Sequence, residues 1–332
     1  MPFSDIPGNG RVKKILRLSL ARNRAPHSLL FCGPRGIGKL KTARVLAKAL
    51  NCLTLPDDAC DACPNCEALN RGLEEPERGF PDYVEVEAET EEIKIAQMKE
   101  VREIAYFKPM IGRKRVFVIN EAERLNDEAG NCLLKVLEEP PGWSHFILVT
   151  ENPSRILPTI RSRCQTLAFM PVATEEIEQA LRDRGFEEEQ ARILALLVHG
   201  NLEQALKLDW DEIQSRREET WDLFRAMVTG GEASLFLRRF AFLKKSEVKD
   251  DLKSTLELFA SFCRDLVLLR DAGEPSLLLN PDYEPRLREI GGGPGFGRAM
   301  RFLEAIDTAF ADLDRSLNTG LLIASLYSQV QG

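Results

Sequence analysis

A chain of 332 residues is longer than one ordinary compact domain, so two or three are expected. Its 45 Lys and Arg against 52 Asp and Glu leave a formal charge of −7, which argues against a free-standing nucleic-acid binder whose affinity comes from a net basic surface. No uncharged run is long enough to span a bilayer, and the first residues lack a basic segment leading into an apolar one, so the chain reads as cytoplasmic, with no membrane contact.

The first half alternates helical and strand patterns. Helix periodicity covers 11–22, and an apolar strand follows at 28–32. Further helices are predicted over 39–50, 93–106, 127–138 and 174–183, with strands at 83–86, 116–119, 145–149 and 166–169. Such alternation implies an α/β fold whose mostly parallel sheet is covered on both faces. After Met170-Pro171 the strand signals stop. Two or three short helices fit 174–208, with a turn at His199-Gly200-Asn201. From about 213 onward the pattern is helical except for a breaker zone around 272–296, which contains Pro275, Pro281 and Gly291-Gly292-Gly293-Pro294. The last helix is predicted to line up Phe302, Ile306, Phe310, Leu313, Leu317 and Leu321 as one apolar stripe. That stripe reads first as core packing and second as a subunit contact.

Chemistry concentrates at Gly33-Pro34-Arg35-Gly36-Ile37-Gly38-Lys39-Leu40, between the first strand and the second helix. Seven of these eight positions satisfy the phosphate-loop pattern G-x-x-x-x-G-K-[ST]. A strand, a glycine-rich turn and a helix N-terminus form an anion cradle, because backbone N–H groups and the helix dipole point at phosphate oxygens while Lys39 adds a point charge. Gly33, Gly36 and Gly38 permit the backbone angles of that close approach. The hydroxyl that normally holds Mg²⁺ is replaced by Leu40, and Thr42 lies on a different helix face. Where the strand at 116–119 ends, Asn120-Glu121 stands in place of an Asp-Glu pair. Asn120 is a weaker cation ligand, and Glu121 occupies the position of a water-polarising base. Two metal-side positions are lost at independent loci, which reads as a site released from catalysis. The glycines and Lys39 keep the capacity to hold ATP or ADP without turnover.

Eight cysteines in a reducing compartment point to thiols or metal ligands rather than disulfides. Cys52, Cys60, Cys63 and Cys66 are spaced C-x7-C-x2-C-x2-C, and four thiolates can surround Zn²⁺ tetrahedrally. With every position filled there is no open place for water, so the site is expected to be structural. A thioredoxin-type redox pair is the competing reading; the overlapping cysteines exceed that pattern. Cys32, Cys132, Cys164 and Cys263 look like ordinary buried small residues. Lys13, Lys14, Arg17, Arg22 and Arg24, and the run Arg113-Lys114-Arg115, offer a local basic face that could meet DNA phosphates without reading sequence; solvated helix and loop surfaces are the ordinary alternative.

These residues together resemble the bacterial clamp-loader ATPase family of DNA polymerase III, most nearly its delta-prime branch. The resemblance covers roughly the first 170 residues. It is carried by Phe3-Ser4-Asp5-Ile6-Pro7-Gly8-Asn9, Ala25-Pro26-His27-Ser28, Ile95-Ala96-Gln97-Met98 and Pro109-Met110-Ile111-Gly112. The most specific run is Asn131-Cys132-Leu133-Leu134-Lys135-Val136-Leu137-Glu138-Glu139-Pro140-Pro141, followed by Ile156-Leu157-Pro158-Thr159-Ile160 and Arg161-Ser162-Arg163-Cys164. The family implies an AAA+ P-loop sheet domain over 1–170 with a zinc module at 52–66, a small helical lid over 171–210, and an all-helical collar over 211–332 that joins subunits in a ring. It further implies that Ser162-Arg163-Cys164 carries an arginine finger acting in trans on the neighbouring subunit's ATP site. The lid's nucleotide-sensing Arg is replaced by Glu203 in Gly200-Asn201-Leu202-Glu203, a third departure from an active site.

The expectation is a non-hydrolysing, delta-prime-like stator without intrinsic ATPase activity. Its partners would be gamma/tau-like and delta-like subunits, with the sliding clamp and primer-template DNA reached through the assembly. An active gamma/tau-type ATPase is the alternative, kept open by Lys39 and Glu121. A zinc-dependent nucleic-acid-binding module unrelated to replication is a third reading.

Overall fold

The computed structural model describes residues 1–75, 79–88, 90–231, 234–241, 245–271, 277–314 and 319–331. In chain order the first elements are α1 (Gly10–Ala21), β1 (Ser28–Cys32), α2 (Lys39–Asn51), α3 (Pro64–Glu74), β2 (Tyr83–Val86), α4 (Ile95–Ala105), β3 (Arg115–Ile119) and α5 (Asp127–Glu138). They continue with β4 (Ser144–Thr150), α6 (Pro158–Arg161), β5 (Gln165–Ala168), α7 (Thr174–Arg182), α8 (Glu188–Leu197) and α9 (Leu202–Ala205). The remainder is α10 (Trp210–Thr229), α11 (Ser234–Ala241), α12 (Lys245–Asp271), α13 (Glu284–Gly291), α14 (Gly295–Asp314) and α15 (Thr319–Gln331). They form two compact units, one made of Met1–Phe186 with Val198–Lys207, the other of Glu187–Leu197 with Leu208–Gly332.

The first unit is built on a five-stranded sheet in the order β2-β3-β4-β1-β5, parallel at every pairing. β1, β3 and β4 are buried along their whole length. That explains their near-continuous apolar sequences, because helices cover both faces and no residue needs to face water. On one face Leu30, Phe117, Ile119, Phe146 and Leu148 meet Met98 and Val101 of α4 and Leu133, Val136 and Leu137 of α5. The edge strand β5 keeps only Leu167 inside. α5 starts where the sequence signals it should: the Asn126 side chain accepts a hydrogen bond from Ala129 N at 2.9 Å, and Asp127 and Glu128 sit in the dipole-favoured first turn.

Order of the sheet places the loop after β1 between the ends of β4 and β5. The Gly33 N–H donates to Thr150 O, and Phe169 N–H to Cys32 O. A crevice beyond the carboxyl ends of parallel strands is where α/β folds bind ligands.

The second unit is helical. Its core gathers Trp221, Phe224, Phe236, Phe259, Phe262 and Phe302, with Trp221 edge-on to Phe262 at 5.2 Å between centroids. Buried Arg217 makes a two-pronged ion pair with Asp282, at 2.8 and 2.9 Å, which fixes the segment leading into α13.

Three expectations need correction. The sequence patterns predict no helix over 64–74, yet α3 forms there; Pro64 at its first turn suits a helix start, since its missing N–H would lack a partner there anyway. The breaker zone contains α13, whose Pro285 likewise lies in the first turn while Leu287 and Ile290 turn inward. The terminal stripe is not one helix. Phe302, Ile306 and Leu313 are buried on α14, whereas Leu321 belongs to α15 and is 72% exposed, with Leu322, Ile323 and Leu326 taking the inner face. Pro275 and Leu317 lie outside the described residues. Among those described, no helix is long and apolar enough to cross a membrane.

Candidate functional site

A pocket of about 570 Å³ opens over the loop that joins β1 to α2. Gly33, Gly36 and Gly38 all have positive φ, at 149°, 72° and 92°. A Cβ on Gly36 would stand 1.7 Å from Asn201 Oδ1, so this glycine is demanded both by its backbone angle and by the chain that crosses it. The crossing chain is the start of α9, where the Glu203 N–H donates to Gly36 O at 3.1 Å.

Lys39 is the first residue of α2 and only 6% exposed. Its ammonium turns back onto the loop, donating to Gly33 O at 2.7 Å and to Pro34 O. Burial pushes its pKa down, and the carboxylates of Glu151 and Glu123 pull the other way. Leu40 lines the pocket with an aliphatic side chain where a hydroxyl would be needed. Thr42 is spent inside the helix, its Oγ1 donating to Gly38 O at 2.8 Å.

At the end of β3, Asn120 lines the same pocket and donates from Nδ2 to Glu87 Oε1 at 3.1 Å. Glu121 adopts the left-handed conformation, φ 48°, and its carboxylate lies 3.0 Å from Arg124. Glu203 also lines the pocket. It is paired with Lys207 at 2.7 Å, and that hydrogen bond, with the nearby charges of Lys41 and Arg35, holds its carboxyl below the usual range. The structure therefore brings Lys39, Leu40, Asn120, Glu121 and Glu203 together around one cavity.

Sequence reasoning missed several residues of this lining: Thr150 at the tip of β4, Glu151, Arg184 and the strap of Asp5, Ile6 and Pro7. Thr150 could have been found once β4 was known to neighbour β1, but strand order is not written in any local motif.

Arg163 follows α6. Its Nε donates to Glu138 Oε1 at 2.7 Å, its Nη2 contacts the same oxygen, and its Nη1 donates to Thr159 O at 2.8 Å. The guanidinium is half-buried, and the remainder of its surface is open to solvent. It does not line the pocket of its own chain.

The sulfur atoms of Cys52, Cys60, Cys63 and Cys66 all lie within 4.8 Å of one another. Ideal tetrahedral Zn–S bonds of ~2.3 Å put sulfur atoms about 3.8 Å apart, so the four fit one thiophilic dication with little movement. Backbone amides support the set: Leu55 N–H donates to Cys52 Sγ and Cys63 N–H to Cys60 Sγ, each at 3.3 Å. A further amide, from Ala62, brings the Cys60 thiol down to about 6, while burial pushes Cys66 up, a cost that a bound dication would offset. Of the other cysteines, Cys32, Cys164 and Cys263 are buried and Cys132 half-buried.

The basic residues are mostly engaged within the fold. Lys13 Nζ donates to Ile6 O, Arg17 pairs with Asp57, Arg113 Nη1 donates to Cys52 O, and Lys114 Nζ to Gly142 O. Arg115 departs furthest from the expected basic face: at 4% exposure it is locked to Asp82. Lys14, Arg22 and Arg24 are exposed.

A family model described as "DNA polymerase III, delta subunit" matches residues 8–173. DNA polymerase III subunit delta′ of Bacillus subtilis is 30% identical over 269 residues, which is 81% of this chain and 80% of the relative. The tau subunit of the same organism is 31% identical over 265 residues, 77% of this chain but 46% of its own length. Tau of Escherichia coli is 34% identical over 220 residues, or 64% of this chain and 33% of the relative. The chain thus spans most of the delta′ relative and less than half of either tau.

Proposed function

The chain belongs to the DNA polymerase III delta-subunit family, the clamp-loader family, and from that premise we propose that it acts as a non-hydrolysing, delta-prime-like subunit. The observation that carries this reading is the convergence of Leu40, Asn120 and Glu203 on a pocket that Lys39 also lines. A cation between the β- and γ-phosphates needs the hydroxyl and the carboxylate that Leu40 and Asn120 do not supply. Glu203 adds a negative charge where the polyphosphate would lie. The loop retains its N–H cradle and its lysine, so ATP or ADP binding without turnover belongs to the same proposal. The greater coverage of a delta′ relative points the same way.

In this reading the chain works inside a hetero-oligomeric ring with gamma/tau-like and delta-like subunits, supports loading of the sliding clamp onto primed DNA, and resides in the cytoplasm. Residues 1–170 serve as the AAA+ module, 171–210 as its lid and 211–332 as the collar. Arg163 is the finger offered to the adjoining subunit's ATP site, its planar guanidinium pre-oriented by Glu138 and Thr159 O. Cys52, Cys60, Cys63 and Cys66 hold a structural Zn²⁺, whose chemistry is to cross-link the module through four thiolates.

The test is ATP turnover by the purified chain, alone and with primed DNA. No multiple turnover is expected. Sustained turnover abolished by Lys39→Ala would favour the second reading, an active gamma/tau-type ATPase. That reading draws on Glu121 and Glu123, carboxylates that line the pocket and could hold a cation in an unusual way.

A further inference from the structure

We propose that the cysteine module is a clasp for the strap that walls the nucleotide pocket, so that metal occupancy sets the shape of that pocket. The inference rests on the reading of the two sites given above, and adds the link between them.

One end of the link is the strap. Residues 3–7 begin with a short 3-10 turn over Phe3–Asp5 and leave it through Ile6 in an extended conformation. Phe3 and Ile6 are 1% and 2% exposed, so the strap is packed rather than draped on the surface. Asp5, Ile6 and Pro7 line the pocket together with Gly36, Gly38 and Lys39. The Ile6 side chain comes within 3.3 Å of where a Cβ on Gly38 would stand. Any shift of the strap therefore moves one wall of the pocket against the phosphate loop itself.

The other end is the cysteine module. Asp57 and Asp58 lie in the seven-residue arc between Cys52 and Cys60. Buried Asp58 uses one carboxylate oxygen, Oδ1, to accept both the Phe3 N–H at 3.0 Å and the Ala59 N–H at 2.8 Å. The arc is tied a second time through Arg17 of α1, which pairs with Asp57 at 2.7 Å and approaches Asp58 Oδ2 at 3.8 Å. The arc from 53 to 59 contains no helix or strand of its own. Two of the four cysteines, Cys52 and Cys60, bound it, so bonds from both sulfurs to one dication close it into a fixed loop. With the cysteines unligated, Asp58 still joins the arc to the strap and Arg17 joins it to α1, while Met1 is tied to Asp61, just past Cys60, through its amino group and through Lys48 Nζ, which donates to Met1 O and pairs with Asp61. Asp58 is thus a positioning residue: it touches neither the sulfur cluster nor the phosphate loop, but joins the segments that do.

The experiment is hydrogen exchange on the full chain, read by mass spectrometry over residues 1–9 and, as an internal control, over β3 and β4. Samples are the zinc-loaded chain, the chain stripped of metal by a mercurial and chelator, and the Asp58→Ala variant with its zinc content measured. Exchange of the strap should rise about tenfold or more on stripping and in Asp58→Ala, since a buried charge-assisted hydrogen bond is lost, while β3 and β4 stay protected. In Asp58→Ala this should occur with zinc still bound. A fluorescent adenine nucleotide titrated against the same samples should weaken in parallel. Strap protection that is unchanged on stripping overturns the clasp whatever the variant shows, and protection unchanged in Asp58→Ala overturns the part given to Asp58. If the chain binds no zinc, the metal reading falls while Asp58→Ala still decides the strap contact. If it binds no nucleotide, the pocket reading falls, and the exchange data still decide the clasp.

Discussion

Replacing Asp82 with Ala removes one half of the most buried ion pair of the sheet unit. Asp82 is 0% exposed and Arg115 4% exposed, with Arg115 Nη2 at 2.8 Å and Nε at 3.2 Å from the same carboxylate oxygen. The carboxylate also accepts the N–H groups of Met110, Ile111 and Gly112 at 2.8, 2.8 and 2.7 Å. It thereby pins a loop that shows Phe107, Met110 and Ile111 to solvent. Removing one partner of such a pair leaves a buried charge and costs about 3–5 kcal/mol. Arg115 keeps two carbonyl partners, Ile104 O at 2.9 Å and Lys108 O at 3.2 Å, so the lower part of that range, about 3–4 kcal/mol, is expected. For a unit of this size the melting temperature moves roughly 2–4 °C per kcal/mol, giving a fall of roughly 6–16 °C in a calorimetric scan. Adding Arg115→Met should recover part of the loss, because it removes the unpaired charge but not the unpaired amides.

The same carboxylate predicts an acid dependence. Burial alone would raise its pKa, but the N–H groups of Gly112 and Ile111, with Arg115 and Met110, hold it below the usual carboxylate range. A group depressed in the folded state contributes stability that is complete above the unfolded value of about 3.9 and is lost as pH falls through the folded one. The gap between wild type and Asp82→Ala should therefore narrow below about pH 4. A melting shift under about 2 °C at neutral pH, or a gap that ignores acid, would refute the reasoning.

Further outcomes follow from the two sites. Gly36→Ala should destabilise the chain by about 1–3 kcal/mol, since it combines a positive φ with a clash against Asn201; a melt indistinguishable from wild type removes α9 from its place over the loop. Metal analysis after denaturing release should give about one zinc per chain, lost in Cys66→Ser and kept in Cys132→Ser. In a reconstituted ring, Lys39→Ala should leave total ATP turnover unchanged. Arg163→Ala in the same ring should slow the one adjoining site by about 10³-fold with assembly intact, and undiminished turnover would take Arg163 out of that site.

Local sequence determined a large part of this protein. The α5 boundaries, the β1 and β2 boundaries, the phosphate loop and the cysteine spacing were all legible, because each is set by short-range chemistry: apolar runs, a capping Asn, glycines at positive φ, C-x2-C geometry. Thr42 could be set aside from helix periodicity alone, and its hydroxyl is indeed turned to Gly38 O. The convergence of Leu40, Asn120 and Glu203 on one pocket could only be suspected, since their loci are some 80 residues apart along the chain, and the β2-β3-β4-β1-β5 order brings the first two together.

What the fold alone decided concerns partners. Arg115 reads as a surface base in its run of three, yet the register of β3 beside β2 buries it against Asp82. Leu321 continues an apolar spacing, yet the chain begins a new helix and turns it outward. Asp58 has no motif at all, and only packing shows that it accepts the Phe3 amide from a segment 55 residues away. The physical reason is common to all three. Periodicity and spacing report what a residue can do within a turn or two of chain, whereas the cost of burying a charge or an amide is settled by which distant group arrives to pair with it.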